Sequence, residues 1–156
     1  MKIYTSYFYQ IRFFSIWEVP FSTAVWDPKW YHNYKDQSYN FMDKHGVLNG
    51  LRIKDFRPGI ECENLCRGSE SCLTKDPSTC EFLQTYERQL QALDAASIEN
   101  YFNMVLDKLS KKLHLPMHFV PVLIVHEAPT NPCSERVIIQ KVLREKGFEC
   151  EEWHQP

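Results

Sequence analysis

A nearly continuous apolar run near the end of the chain constrains the fold more than any other sequence feature. Residues 119–125 read Phe-Val-Pro-Val-Leu-Ile-Val, and the run ends abruptly at the polar pair His126 and Glu127. A strand with apolar side chains in both directions must be buried on both faces, as in a parallel sheet covered by helices. We therefore expect a central strand of an α/β domain at these positions.

The residues after this strand predict a helix and one more strand. Asn131 is the expected N-cap, with Pro132 at the first helical position, because a proline lacks the N–H that would stay unpaired there. The helix should run from about Cys133 to Lys146, with a final, more exposed strand at 148–153 near a sheet edge. A strand, a helix and a second strand of these lengths form a βαβ unit.

Two earlier segments show the 3.6-residue spacing of amphipathic helices. Asp94 or Ser97 can cap the second of them, and Pro116 prevents it from continuing. Strands are also expected at 2–5 and 15–21, where aromatic and branched residues dominate. The apolar positions are Phe82, Leu83, Tyr86, Leu90 and Leu93 in the first helix, and Ile98, Phe102, Val105, Leu106, Leu109 and Leu113 in the second.

These elements predict one α/β domain over residues 1–156, with a three-layer, mostly parallel, Rossmann-like sheet. The net charge of -2, from 18 basic and 20 acidic side chains, removes the usual electrostatic reason to expect a nucleic-acid or anionic-membrane partner. Arg12 and Glu18 interrupt the apolar N-terminal region, which we interpret as folded structure and not as a signal peptide or membrane span. Nucleic acid stays an open partner, because a local basic patch could still exist.

Four of the six cysteines fall in one short segment, which predicts a metal site. The segment at about 44–80 is rich in glycine and poor in apolar residues, so we interpret it as an irregular insert that something other than packing must order. Four thiolates suit zinc, which we favour as a structural ion, or an iron-sulfur cluster; disulfides or free thiols are the remaining alternatives. A reduced, cytoplasmic location fits this pattern best. The expected ligands are Cys62, Cys66, Cys72 and Cys80.

A second group of polar residues spans the end of the predicted central strand and the start of the following helix. Ligands of open α/β sheets bind at this position, because free helix N–H groups and diverging loops meet there. Cys133 would be activated by the helix dipole and by the nearby Arg136, and Glu127 could act as a general base. We expect Arg136, His126 and Ser134 to contact the ligand. A structural Glu-Arg tie and a buried cysteine are the plainer alternatives.

An aromatic loop at 25–39 offers a further ligand contact. Trp30 could stack on a ring, and Lys29 could contact an anion. Packing of a lid over the core explains the same residues equally well.

The chain resembles the bacterial family catalogued as domain of unknown function 488. That resemblance implies an α/β fold and a site at Glu127, Cys133 and Arg136, but no reaction. Common members carry a cysteine before the glutamate and a Cys-His-Arg triplet at the helix start, whereas this chain has Val125 and the pair Ser134-Glu135 at those places. The resemblance is carried by Lys2-Ile3-Tyr4-Thr5-Ser6, Pro28-Lys29-Trp30, Phe82-Leu83-Gln84-Thr85-Tyr86 and the run from Glu127 to Arg136.

Three functions are compatible with these features. The first is an enzyme that binds a small anionic or nucleotide-like ligand at the 126–136 junction, with Cys133 as nucleophile or Glu127 as acid-base group and Arg136 as anion clamp. The second is a non-enzymatic module whose metal-stapled insert and aromatic loop bind nucleic acid or another protein. Redox sensing through the cysteines is a third possibility. We favour the enzyme, because a polar cluster at a predicted switch point is harder to explain as packing.

Overall fold

A computed structural model describes residues 1–32, 50–63, 65 and 76–156, and within them parallel strands form one five-stranded sheet. The spatial order is β3-β2-β4-β1-β5, so β4 is the central strand and β5 lies at an edge. The α/β class, the parallel sheet, the buried central strand and the edge strand are thus confirmed. The strands are β1 (Lys2–Tyr7), β2 (Glu18–Ser22), β3 (Leu51–Arg52), β4 (Val120–Val125) and β5 (Glu149–Glu152).

The two helices predicted from the 3.6-residue spacing are confirmed at Glu81–Gln91 and Ala95–Leu113, although Leu93 lies beyond the end of the first. None of the helices in the described part of the chain is long and apolar enough to cross a membrane. The α-helices are α1 (Ile60–Glu63), α2 (Glu81–Gln91), α3 (Ala95–Leu113) and α4 (Glu135–Glu145), and short 3₁₀ helices occupy Phe8–Phe13, Lys29–His32, Lys54–Phe56 and Pro77–Thr79.

One face of the sheet packs against α2, α3 and α4 and forms the main core. Side chains that alternate along the strands point to this face, and removing their apolar surface from water drives the packing. Tyr86 of α2 is fully buried here, and its hydroxyl donates a hydrogen bond to the carbonyl of Phe56. The buried members include Ile3, Phe21, Leu123, Leu90, Phe102, Leu109, Ile139 and Leu143.

The other face is covered by the 3₁₀ helix Phe8–Phe13 and by loops. Its buried cluster holds Val122 and Ile124 of β4 against Phe8, Ile11, Phe14, Tyr31 and Trp153, and none of its members comes from the α-helices of the described chain. The three-layer, Rossmann-like arrangement with helices on both faces therefore stays a prediction.

The connections diverge around the central strand. After β1 and β2 the chain turns onto the face that holds Phe8, Ala24 and Tyr31, whereas after β4 it turns to α4 on the opposite face. Neighbouring parallel strands whose connections leave in opposite directions open a crevice at their carboxyl ends. The predicted switch point is thus formed on both sides of β4.

The structure confirms one predicted helix cap and contradicts another. Asp94 caps α3 by accepting a hydrogen bond from the backbone N–H of Ser97, as expected. The prediction of Asn131 as N-cap of α4 is wrong: Ser134 is the N-cap, and its Oγ accepts the N–H of Arg136 at 3.2 Å. Asn131 instead accepts the N–H of Cys133 at 3.0 Å and closes the preceding turn.

The segment 50–56 is more regular than the irregular insert that the cysteine and glycine pattern indicated. Leu51 and Arg52 form the edge strand β3, which pairs with β2. Leu51, Ile53 and Phe56 are buried in the main core. This part of the chain is therefore held by apolar burial, and it needs no metal ion to order it.

Candidate functional site

A pocket of about 280 Å³ opens at the carboxyl ends of β2 and β4. It combines an aromatic wall with two carboxyl groups, which is the mixture of apolar surface and few polar groups typical of small-molecule sites. The lining residues are Thr23, Ala24, Val25, Trp26, Val125, His126, Glu127 and Glu135.

Glu127 and Glu135 form the polar part of this pocket. Glu127 follows the end of β4 and Glu135 is the first residue of α4, so the turn between them brings two acids together. The Ser134 hydroxyl donates a hydrogen bond to Glu127 Oε2 at 3.0 Å, and the two carboxyl groups are close enough to interact electrostatically. Burial and the charge of Glu127 raise the pKa of Glu135 to about 7. Because two adjacent carboxylates repel each other, Glu135 keeps its proton to a higher pH than an ordinary glutamic acid.

Arg136 lies behind the pair as a structural anchor. Its side chain is only 5% exposed. The Nε donates to Glu152 Oε2 at 2.6 Å, and one terminal nitrogen donates to the backbone carbonyl of Glu127 at 2.7 Å. The guanidinium also lies 5.7 Å from the centre of the Tyr7 ring. Arg136 thus ties α4 to β5 and fixes the turn that carries Glu127, while its role as an anion clamp stays a prediction.

The partner of Arg136 is Glu152, which the sequence patterns did not single out. The Thr5 hydroxyl donates to Glu152 Oε2 at 2.7 Å, and Gln140 donates to the Thr5 hydroxyl at 2.6 Å. The available signal was the alternation of β5, which places Glu152 on the inner face with Phe148 and Cys150. A carboxylate at such a position requires a buried cation or several hydrogen bonds.

His126 forms the aromatic wall together with Trp26. Its ring lies 4.3 Å from the Trp26 ring and 4.8 Å from the Phe8 ring, measured between centres. Its Nε2 is 2.7 Å from the Trp26 carbonyl oxygen, and because a carbonyl only accepts, Nε2 carries a proton. Trp26 itself is 67% exposed, so one surface of this wall faces solvent. The predicted ligand contact His126 lines the pocket, and Trp26 joins it.

The remaining predicted residues lie around the pocket without lining it. Cys133 is partly buried in the turn before α4. Trp30 meets Phe8 and Tyr31 edge-on at 6.2 and 6.0 Å between ring centres, and Lys29 is exposed on the same short helix. Their assignment as nucleophile and ligand contacts stays a prediction.

Only two of the four predicted metal ligands lie in the part of the chain that the structure describes. Cys62 in α1 and Cys80 before α2 are both buried. Cys66 and Cys72 lie outside the described residues. Within 1–32, 50–63, 65 and 76–156, no three His, Cys, Asp or Glu side chains come close enough together to hold a metal ion. The four-cysteine site, and with it zinc, therefore stays a prediction.

Comparison of the chain with protein-family models, curated proteins and solved structures finds no significant match. The resemblance to domain of unknown function 488 therefore stays a prediction, and the function must be argued from the site.

Proposed function

We propose that the protein is an enzyme that binds a small planar ligand in the pocket at the carboxyl ends of β2 and β4 and moves a proton through Glu127 and Glu135. One arrangement carries this proposal: the two carboxyl groups line the same pocket, where burial and the charge of Glu127 raise the pKa of Glu135. A pair that holds one proton offers both an acid and a base at a single point, which is what general acid-base catalysis requires.

The local structure keeps the carboxyl pair in place. Ser134 donates to Glu127, and Arg136 holds the Glu127 backbone carbonyl. Because Arg136 is in turn bonded to the buried Glu152, the turn is anchored to the sheet. Groups whose positions are fixed before the ligand binds lose little freedom when it does, which favours catalysis.

The charge and the aromatic surface of the pocket limit the class of ligand that we expect it to bind. The negative charge of Glu127 and Glu135 repels an anion, and two of the three Arg136 guanidinium nitrogens are already bonded, which leaves only the buried Nη1 without a partner in the described residues. Trp26 provides an exposed aromatic surface on which a ring can stack. We therefore expect a nucleobase-like ring that donates hydrogen bonds to the carboxyl pair. Cys133 does not line the pocket, so the chemistry is assigned to the carboxyl groups and not to the thiol.

Ribonucleosides and their 5′-monophosphates are the probes that test this ligand class. We expect at least one nucleoside to shift the Trp26 indole N–H resonance saturably, and its monophosphate to bind no more tightly. Trp26→Ala should weaken binding about tenfold or more, as loss of base stacking does. Phe13→Ala, which removes an exposed aromatic ring that does not line the pocket, is the matched control and should leave affinity unchanged.

Turnover is followed by NMR in the same samples. Glu127→Gln and Glu135→Gln should each abolish conversion of the bound ligand, and because the amide oxygen still accepts a hydrogen bond from the ring, each variant should still bind it. A monophosphate that binds at least about tenfold better than its nucleoside would restore the anion-binding interpretation. Binding without any turnover would remove the enzymatic part of the proposal, and absence of binding by every probe would reject the ligand class.

We also propose that Cys62, Cys66, Cys72 and Cys80 bind one structural zinc ion in a reduced, cytoplasmic protein. Four thiolates leave zinc no open position for catalysis, so such a site would be independent of the carboxyl pair. Elemental analysis and an absorption spectrum of protein purified without oxygen should show one zinc per chain and no visible absorption. Iron with visible bands would replace zinc by an iron-sulfur cluster. Absence of both metals would reject the site.

A further inference from the structure

A second pocket, of about 360 Å³, lies near the amino ends of β2 and β4, away from the carboxyl pair. Glu18 and Val120, the first residues of these strands, both border it. Its walls combine aromatic rings with carboxylates and one histidine, and the chemically distinctive members are Tyr4, Trp17, Trp153, Glu18, Glu151, Glu152 and His154.

The position of Lys2 shows that the aromatic and acidic residues at the edge of this pocket attract a cation. The Lys2 ammonium lies 4.9 Å from the centre of the Tyr4 ring and 2.8 Å from Glu151 Oε1. Lys2 stands beside the pocket and is not one of its lining residues. An aromatic ring next to a carboxylate therefore already holds a cation at the pocket's edge.

Glu18 is a second carboxylate that lines this pocket next to an aromatic side chain. Its Oε1 accepts a hydrogen bond from the Trp153 indole N–H at 3.2 Å, and its Oε2 accepts from the Ser15 backbone N–H at 3.0 Å. These donors are neutral, and no Lys or Arg of the described chain pairs with Glu18. Lys2 balances Glu151, so within the described residues the charge of Glu18 has no lysine or arginine counter-ion.

We infer that this pocket binds a small organic cation with a quaternary ammonium or methylated amine head group. A carboxylate provides the charge complement, and the faces of Trp and Tyr rings attract weakly hydrated cations. A metal ion is a poorer match, because aromatic carbons are not among its ligands and it holds its water shell strongly. The second pocket and the carboxyl pair are separate, so neither proposal depends on the other.

Choline and its uncharged isostere 3,3-dimethyl-1-butanol are the probes for the test. The readout is the Trp153 indole N–H resonance, since that group is bonded to Glu18. With ionic strength matched by sodium chloride, we expect choline to shift this resonance saturably and to bind at least about tenfold more tightly than the isostere. Both probes are compared on the wild-type protein, so this comparison does not depend on any variant folding.

Glu18→Gln isolates the charge, because the amide oxygen still accepts the Trp153 hydrogen bond. We expect choline affinity to fall about fivefold or more in this variant. Glu149→Gln removes an exposed carboxylate of β5 that does not line the pocket, and it should change affinity by less than about twofold.

Three results would overturn the inference. Equal affinity for choline and the isostere would show an apolar pocket without cation selectivity. If sodium chloride alone reproduced the shift of the Trp153 resonance, the shift would reflect ionic screening and not binding of choline. Absence of saturation up to about 50 mM choline would show that no site of useful affinity exists.

Discussion

Replacing Arg136 with Met is expected to lower the free energy of unfolding by about 3 to 5 kcal/mol. The side chains of Arg136 and Glu152 are 5% and 13% exposed and meet at 2.6 Å. Removing the guanidinium leaves a buried carboxylate without its cation, and such a charge costs far more than the lost attraction. The Glu127 carbonyl also loses its donor. Urea denaturation at constant pH, with the slope compared between variants, measures this change.

Two further variants separate the cost of the buried charge from the loss of packing. The double variant Arg136→Met with Glu152→Gln should recover part of the loss, because the remaining partner is then neutral and keeps its hydrogen bond to Thr5. Lys2→Met, which breaks an exposed ion pair with Glu151, is the matched control and should cost less than about 1 kcal/mol. A loss below about 1 kcal/mol in Arg136→Met would contradict the structural role of this pair.

Several elements could be predicted from the sequence because apolar periodicity reports burial directly. The run at 119–125 predicts a strand covered on both faces, and Val120–Val125 is the central strand β4. The spacing of Leu83, Tyr86 and Leu90 likewise identifies the buried face of α2. In each case the signal lies within one element and needs no knowledge of its partners.

The order of the strands could not be predicted in this way. Strand β1 lies between β4 and β5 and pairs with both, although more than a hundred residues separate it from either. Nothing in the local pattern of Lys2–Tyr7 specifies these neighbours. The two-residue strand β3 was missed for a related reason, because a pair such as Leu51 and Arg52 is too short to show a period.

The cap of α4 shows how tertiary contacts override local signals. Asn131 followed by Pro132 is a good start signal, and so is Ser134 followed by Glu135. Ser134 becomes the cap, and its hydroxyl at the same time donates to Glu127. That second bond depends on the turn closing back onto β4, which no local rule describes.

The sequence predicted where the candidate site lies, but it identified only some of the residues that determine its chemistry. His126 and Glu127 line the pocket, and Arg136 stands directly behind it. In the sequence, Glu135 stands only as a difference from the histidine that common members of the resembling family carry, and this pattern assigns it no role. Its role emerges only once the turn places it against Glu127 in a buried setting, where the pKa of Glu135 rises.

Glu135→Gln is expected to stabilise the protein at about pH 8 by roughly 3 kcal/mol and to leave stability at about pH 4.5 nearly unchanged. In the wild-type protein the pKa of Glu135 rises from 4.5 to about 7 on folding, chiefly because of burial. The folded chain therefore keeps a proton that the unfolded chain releases, and stability falls as pH rises through this window. A neutral amide cannot lose that proton, so the variant escapes this loss.

Thermal and urea unfolding of both proteins across this pH range, reported as the difference between them, isolates Glu135 from the other titrating groups. Glu149→Gln removes an exposed carboxylate and should stay within about 0.5 kcal/mol of wild type throughout. If Glu135→Gln were equally or less stable than wild type at about pH 8, Glu135 would be an ordinary ionised carboxylate. The pair could then hold no proton near neutral pH, and the acid-base proposal would lose its physical basis.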